Sequence, residues 1–384
     1  MTGLLDAFAT GPRENGTPEL AAATEAAASR LADAGWTVEP FTFTAAPHEL
    51  QILGLVCALL GVVYGILLRR NRALSCIAVT LLPAVLAVAI VDGGLTPFGG
   101  VGSAEQACVI GRLPVENPDR RLVLAAHLDT KTELLDHIAR TPVQIAGAAA
   151  VLLMIAVPLR TRYLQRRRAR RSRLEATAAR TAVAVGLGLM LVYSAGLVLP
   201  ERSPGALDDG AACAVLLRAA DDLAGAPPRR TEVVVALFTG EELGAHGSRA
   251  WVRSRDERWR AMPTVAVNFE LVGSSRQLMV GKNVSLTRGG GVPASLLDRL
   301  DSASVAASGE PLLRTPLAGM TDAVAFTERG IPAATVLGRE GRFLVPAGMH
   351  GPRDNLSRVN PESLEYLRRM VAELVHGFDG EERP

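Results

Sequence analysis

Apolar positions divide the chain into two kinds of segment. Four runs, residues 50–68, 73–91, 142–159 and 181–199, contain no charged side chain. Each comes close to the about 20 apolar residues that a helix needs to cross a bilayer, and uncharged runs of that length are uncommon in soluble cores. Pro83 and Pro158 lie inside these runs, where neighbouring membrane helices can satisfy the carbonyl that a proline frees. The pattern therefore predicts four transmembrane helices in two hairpins.

Between the runs, short apolar stretches alternate with helical patterns. Thr17, Pro18 and Glu19 supply a cap, a first-turn proline and a first-turn acid for an Ala-rich helix that stops at Gly35. Strands are predicted at 121–126, 231–238, 264–269 and 332–337, a helix at 209–223, and a last helix opening at Asn360-Pro361-Glu362. Such alternation predicts an α/β fold: a mixed, mostly parallel sheet with helices on both faces, interrupted by the four transmembrane helices. The expected organisation is one α/β domain in three pieces, 1–49, 92–141 and 200–384. Hairpins at 50–91 and 142–199 separate those pieces.

Composition agrees with two materials in one chain. Of 384 residues, 48% are hydrophobic and 21% charged, and the mean hydropathy is +0.22. The net charge is only +2, so no overall field points to nucleic acid. Basic residues concentrate at the hairpin tips, at Arg69, Arg70 and Arg72 and in 160–180, which carries nine Arg and one acid, Glu175. Cytoplasmic loops are enriched in Lys and Arg, so both tips are expected in the cytoplasm and the three polar pieces together outside, in a multi-pass protein of the cell membrane touching lipid. Residues 1–16 have no apolar core that would make a cleavable signal, so the first span would itself export residues 1–49. The opposite topology remains the alternative. Cys57, Cys76, Cys108 and Cys213 show no CxxC spacing; buried thiols are expected, with a Cys108–Cys213 disulfide as the other possibility.

Ligands of an open α/β sheet gather at the carboxyl ends of its strands, and the acids and histidines cluster there. In order they are His127-Leu128-Asp129, the Asp208-Asp209 turn, Glu241-Glu242 after a strand, Asn268-Phe269-Glu270, and His350. Imidazole and carboxylate suit zinc, and this number of ligands suits two ions with one bridging carboxylate. Glu241-Glu242 can supply one ligand and one proton acceptor. Taken singly, each residue has a plainer role: the Asp pair as helix caps, the Glu pair as first-turn acids, Glu270 as an arginine partner, His350 as a loop residue.

The order of HxD, the Asp pair, Thr239-Gly240-Glu241-Glu242-Leu243-Gly244, Asn268-Phe269-Glu270 and a late histidine before Asp354-Asn355-Leu356 resembles the di-zinc metallopeptidases that include bacterial leucyl aminopeptidases and glutamate carboxypeptidase II. Gly11-Pro12-Arg13 and Asn15-Gly16-Thr17 are similar to that family's opening segment. The resemblance covers the polar pieces only. It implies that Asp208 bridges two zinc ions, that His127 and Glu270 complete one site, and that Glu242 and His350 complete the other. Glu241 would be the general base and acid, Asp129 would orient the His127 ring, and the Asp208–Asp209 peptide would be cis. Glu270 stands where many members have Asp, and Thr321-Asp322-Ala323 resembles a Ser-Asp-His element without its histidine. The implied activity is a zinc exopeptidase acting on peptides, most simply an aminopeptidase, with no nucleic-acid partner expected. A one-zinc enzyme similar to glutaminyl cyclases and an inactive peptidase-like membrane receptor are the alternatives.

Overall fold

The computed structural model describes residues 2–91, 93–165, 173–194, 202–275, 277–285, 290–317, 319–340 and 346–380. The chain divides into two compact units, one made of Met1–Pro47, Ser103–Thr132 and Glu201–Pro384, the other of His48–Gly102 and Glu133–Pro200.

The first unit carries one eight-stranded sheet. In chain order its elements are α1 (Thr2–Ala9), α2 (Pro18–Asp33), β1 (Thr37–Ala45), β2 (Ala104–Arg112) and β3 (Arg120–His127). In the second unit, α3 (Glu49–Arg69) and α4 (Ala73–Val91) lie between β1 and β2 in sequence, and α5 (His137–Gln165) and α6 (Arg173–Tyr193) follow β3. The first unit then resumes with α7 (Ala211–Gly225), β4 (Thr231–Phe238), α8 (His246–Ser254), α9 (Glu257–Ala261), β5 (Thr264–Glu270), β6 (Leu278–Gly281), α10 (Ala294–Ser308), β7 (Leu313–Thr315), α11 (Ala323–Thr327), β8 (Ala333–Gly338) and α12 (Pro361–Asp379). Strand order is β1-β2-β4-β3-β5-β8-β6-β7. The central strands β4, β3, β5 and β8 run parallel, while β1 and β2 pair antiparallel at one side and β6 runs antiparallel to β8.

Burial explains this order. All but the first residue of β3 are buried, as are all but one in each of β4 and β5, and strands apolar on both faces belong in the middle of a sheet covered on both sides. β1 alternates exposed and half-buried positions, as a strand at the sheet edge does. The Thr17 side chain accepts from the Leu20 amide at 3.3 Å to open α2, and Gly35 at φ +84° closes it. In α12, Leu364, Leu367, Met370, Val371, Leu374, Val375 and Phe378 form the buried stripe that a 3.6-residue period demands. Trp251 and Trp259 stack edge to face inside the core, and all four cysteines are buried free thiols.

The second unit is helical. Among the described residues three helices are long and apolar enough to cross a membrane, Glu49–Arg69, Ala73–Ile90 and Ile138–Tyr163. The third starts upstream of the expected residue 142 because Asp136 Oδ1 accepts the Ala139 amide at 2.7 Å and caps it there. The fourth expected span differs: its helix begins at Arg173, its apolar part among described residues is Ala176–Val192, and 195–199 lie outside the described residues, as do 166–172 of the Arg-rich tip. Leu55, Leu59, Val62 and Ile66 of α3 are exposed, whereas Gly61 lets α3 approach the α6 backbone so closely that a Cβ there would sit 2.7 Å from the Ala182 carbonyl oxygen.

A cavity of about 890 Å³ opens at the amino ends of β3, β5 and β8, lined by Arg120, Arg121, Arg260, Thr264 and Arg299 among others. Its lining contains no histidine or glutamate. The chemistry-bearing residues lie at the opposite ends of these strands.

Candidate metal centre

His127 and Glu270 are the last residues of β3 and β5, and Glu241 and Glu242 follow β4. Asp208 lies in the distorted turn Ala206–Gly210 ahead of α7, and His350 lies in the loop between β8 and α12, its backbone at φ +62°. Parallel strands thus deliver three of the segments side by side, and two loops bring the others over them. Gly210 is required by crowding: a Cβ there would lie 2.0 Å from the Phe8 carbonyl oxygen. The Asp208–Asp209 peptide is cis.

The side chains form two triads that share one residue. His127, Asp208 and Glu270 each offer a ligand atom, all within 4.8 Å of one another, and Asp208, Glu242 and His350 do the same. Asp208 Oδ1 lies 3.2 Å from His127 Nε2 and Oδ2 lies 3.1 Å from His350 Nε2; His350 Nε2 lies 2.8 Å from Glu242 Oε1. His127 Nδ1 is 2.9 Å from the Asp129 carbonyl oxygen, an atom that can only accept, so Nδ1 carries the proton and Nε2 presents its lone pair to the triad. That Nε2 is buried and has no hydrogen-bond partner. It is the orphaned atom expected of a metal ligand.

The Asp129 carboxylate does a second job besides the one that the resemblance implies. Its Oδ1 is 3.6 Å from His127 Nδ1, so its main-chain carbonyl makes the closer contact with the ring. The carboxylate accepts the Glu241 amide at 3.2 Å, the Glu242 amide at 3.1 Å and Asn15 Nδ2 at 2.7 Å. It fixes the turn that carries the Glu pair.

The plainer roles of the acids do not apply. α7 begins behind Gly210 without a side-chain cap, and the Glu pair precedes α8 instead of lying in its first turn. Glu270 accepts from Asn268 Nδ2 at 3.1 Å, and His350 is buried. Asp322 precedes α11 but caps nothing.

Charge makes the same case. Asp129, Asp208, Asp209, Glu241, Glu270 and Asp322 are all buried. Burial, with the charge of Glu270 added, pushes Glu241 well above the usual carboxylate range. Burial also raises Glu270 and Asp209, and lifts Asp322 to about 7. Burial would lower the His127 pKa, but Asp129 and Asp208 raise it, so a metal on Nε2 would have to displace a proton from that atom. So many carboxylates taken out of water call for cations, and a two-histidine, three-carboxylate donor set fits zinc.

Three residues that the motifs did not single out as site residues support the centre. Asp354 Oδ1 accepts the Leu207 amide at 2.7 Å beside Asp208, Asn268 holds Glu270, and Arg13 spans two of the ligand loops. All had a sequence signal, Arg13 and Asn15 in the opening segment, Asn268 in Asn268-Phe269-Glu270 and Asp354 in Asp354-Asn355-Leu356; their contacts are what no local spacing encodes.

Comparison with known proteins bears on the family and the fold. Residues 191–375 match the model of Peptidase family M28, a stretch that contains Asp208, Glu241, Glu242, Glu270 and His350 but neither His127 nor Asp129. Aminopeptidase YwaD of Bacillus subtilis (strain 168) is 27% identical over 175 residues, 45% of this chain and 38% of that protein, so the match spans about two-fifths of the relative's length. Among solved structures, the Bacteroides thetaiotaomicron glutaminyl cyclase bound to N-acetylhistamine superposes with a TM-score of 0.59 at 13% identity, covering 99% of this chain and 95% of that one. A Zn-dependent exopeptidase from Parabacteroides distasonis ATCC 8503 gives 0.56 at 14% identity, over 97% and 94%. The resemblance to M28 metallopeptidases and the mixed, mostly parallel sheet of zinc aminopeptidases both hold.

Proposed function

From this M28 resemblance we propose that the chain is a membrane-anchored, zinc-dependent exopeptidase, an aminopeptidase that hydrolyses peptides outside the cytoplasm. The observation that carries the reading is the pair of triads joined at Asp208. His127 and Glu270 would hold one ion and Glu242 and His350 the other, with Asp208 bridging. Zinc in such a site supplies Lewis-acid polarisation of a carbonyl and makes water acidic enough to be deprotonated near neutral pH. Glu241, which belongs to neither triad, takes the proton from the attacking water and passes it to the leaving nitrogen. Helices α3 to α6 are assigned to the bilayer, the basic tips to the cytoplasm, and the pieces 1–49, 92–141 and 200–384 to one catalytic domain on the other side.

A glutaminyl-cyclase-like reaction is the second reading, favoured by the same sheet in a cyclase structure. It would use one zinc, and two triads favour the peptidase. The test is hydrolysis of free-amino and amino-blocked peptides by detergent-purified protein, with metal content measured in parallel. Cleavage of free-amino peptides only, lost on chelation, with about two zinc per chain, is the expected result. Zinc-loaded protein that cleaves neither kind but cyclises an amino-terminal glutamine would replace the peptidase with the cyclase.

A further inference from the structure

We infer that Arg13 is a positioning residue that sets the separation of His127 and Asp208 in the first metal triad by tying the loop of His127 to the loop of Asp208. The inference rests on the metal-centre reading above and adds a residue outside its ligand set.

Arg13 is a buried arginine, 2% exposed. Its Nε donates to the Leu128 carbonyl at 2.8 Å, and Leu128 stands between His127 and Asp129. Its Nη1 donates to the Pro204 carbonyl at 2.8 Å and to the Gly11 carbonyl at 3.0 Å, and Nη2 to the Gly205 carbonyl at 3.3 Å. Pro204 and Gly205 lead into the turn that presents Asp208. One planar side chain therefore bonds both segments that face each other across the shared ligand. The guanidinium suits this task because its donors are held in a rigid fork, whereas a lysine ammonium is a single point on a flexible stem.

The arm that carries Arg13 is itself anchored to the same loop. The Arg13 amide donates to Thr130 Oγ1 at 2.7 Å, the Thr130 amide returns a bond to the Arg13 carbonyl at 2.9 Å, and Asn15 reaches Asp129. The receiving loop leaves no slack. A Cβ at Gly205, where φ is +59°, would lie 2.2 Å from Thr130 Cγ2, 2.6 Å from the Asp208 carbonyl oxygen and 3.2 Å from Arg13 Nη2. A displacement of this clip therefore changes the separation of His127 and Asp208, the two ligands that the first triad needs together.

The test uses full-length protein in detergent, wild type beside Arg13→Lys, Arg13→Ala and the near-isosteric Thr130→Val, which keeps the guanidinium but frees the arm. Zinc affinity is read by chelator competition and ligand geometry by the visible spectrum of the cobalt-loaded protein, with melting of the metal-free protein followed separately. Loss of such outer contacts weakens metal binding about 10- to 100-fold. The expected result is a loss of that size in Arg13→Lys and Arg13→Ala, a smaller loss in Thr130→Val, and an altered cobalt spectrum. Variants that bind zinc as tightly as wild type with an unchanged cobalt spectrum overturn the inference alone, even if they melt earlier. If the Arg13 variants fail to fold, Thr130→Val decides: unchanged affinity and spectrum overturn the inference. Wild-type protein that takes up no zinc overturns the metal centre and this inference together.

Discussion

Asp208 turns Oδ2 to the Nε2 of His350 at 3.1 Å, which leaves Oδ1 for the other histidine. A carboxylate used on both sides has a different loss pattern from one used on a single side. Asp208→Ala is expected to reduce zinc from about two ions per chain to well below one, whereas Glu270→Ala removes about one. Elemental analysis after dialysis distinguishes them. Equal losses in the two variants would mean that Asp208 does not bridge.

Glu241 is expected to matter for turnover and not for metal. Glu241→Gln keeps the volume and removes the proton acceptor, so kcat should fall by about 10²- to 10⁴-fold while zinc content stays at the wild-type level. A variant that retains both zinc and wild-type turnover removes Glu241 from the mechanism.

His246 ties stability to acidity outside the ligand set. It is 7% exposed, with Nε2 buried and without a hydrogen-bond partner, and burial together with Arg249 and Arg253 pushes its pKa down to about 4. The unfolded chain takes this proton near pH 6.5, while the folded chain refuses it until about pH 4. Its contribution is therefore complete above about pH 6.5 and is lost as the pH falls toward 4, by up to about 3 kcal/mol. His246→Gln should flatten this part of the melting-temperature profile between pH 7 and 5. An equally steep acid decline in the variant would assign the effect to other groups.

Helix packing in the second unit can be tested at Gly61. Gly61→Val must push α3 away from the Ala182 carbonyl, and overpacking of this kind costs about 1–3 kcal/mol. The melting temperature in detergent should fall by several degrees, with Leu59→Val, at a position 62% exposed, close to wild type. Identical effects at both positions would contradict the close contact.

The parts legible in sequence are those set by local pattern or by order. Thr231–Phe238 is a strand buried at every position but Glu232 because its apolar run has no competing period, and Thr17-Pro18-Glu19 opens α2 because capping is local. The residues that meet in the two triads were legible through their order. β1 and β2 were missed: Thr37–Ala45 and Ala104–Arg112 are mixed sequences that become strands by pairing with each other, across an intervening helical hairpin. The reach of Asp129 to two main-chain amides was likewise invisible, because it depends on where β4 ends beside β3. The extent of the third long helix was misjudged because its cap, Asp136, lies outside the apolar run.

The register of β1 on β2 has a further consequence for how the molecule is made. Ala45 pairs with Ala104, so the two strands join the ends of a long excursion of chain. Closing a loop that size costs a flexible chain entropy that grows with its length. Here α3 and α4 are neighbours in sequence and can associate as soon as both are synthesised, which brings residues 48 and 102 toward each other before any sheet exists. The first hairpin then works as a folding splint, and the slow step passes to the late strand β5, whose partner β3 was laid down long before it.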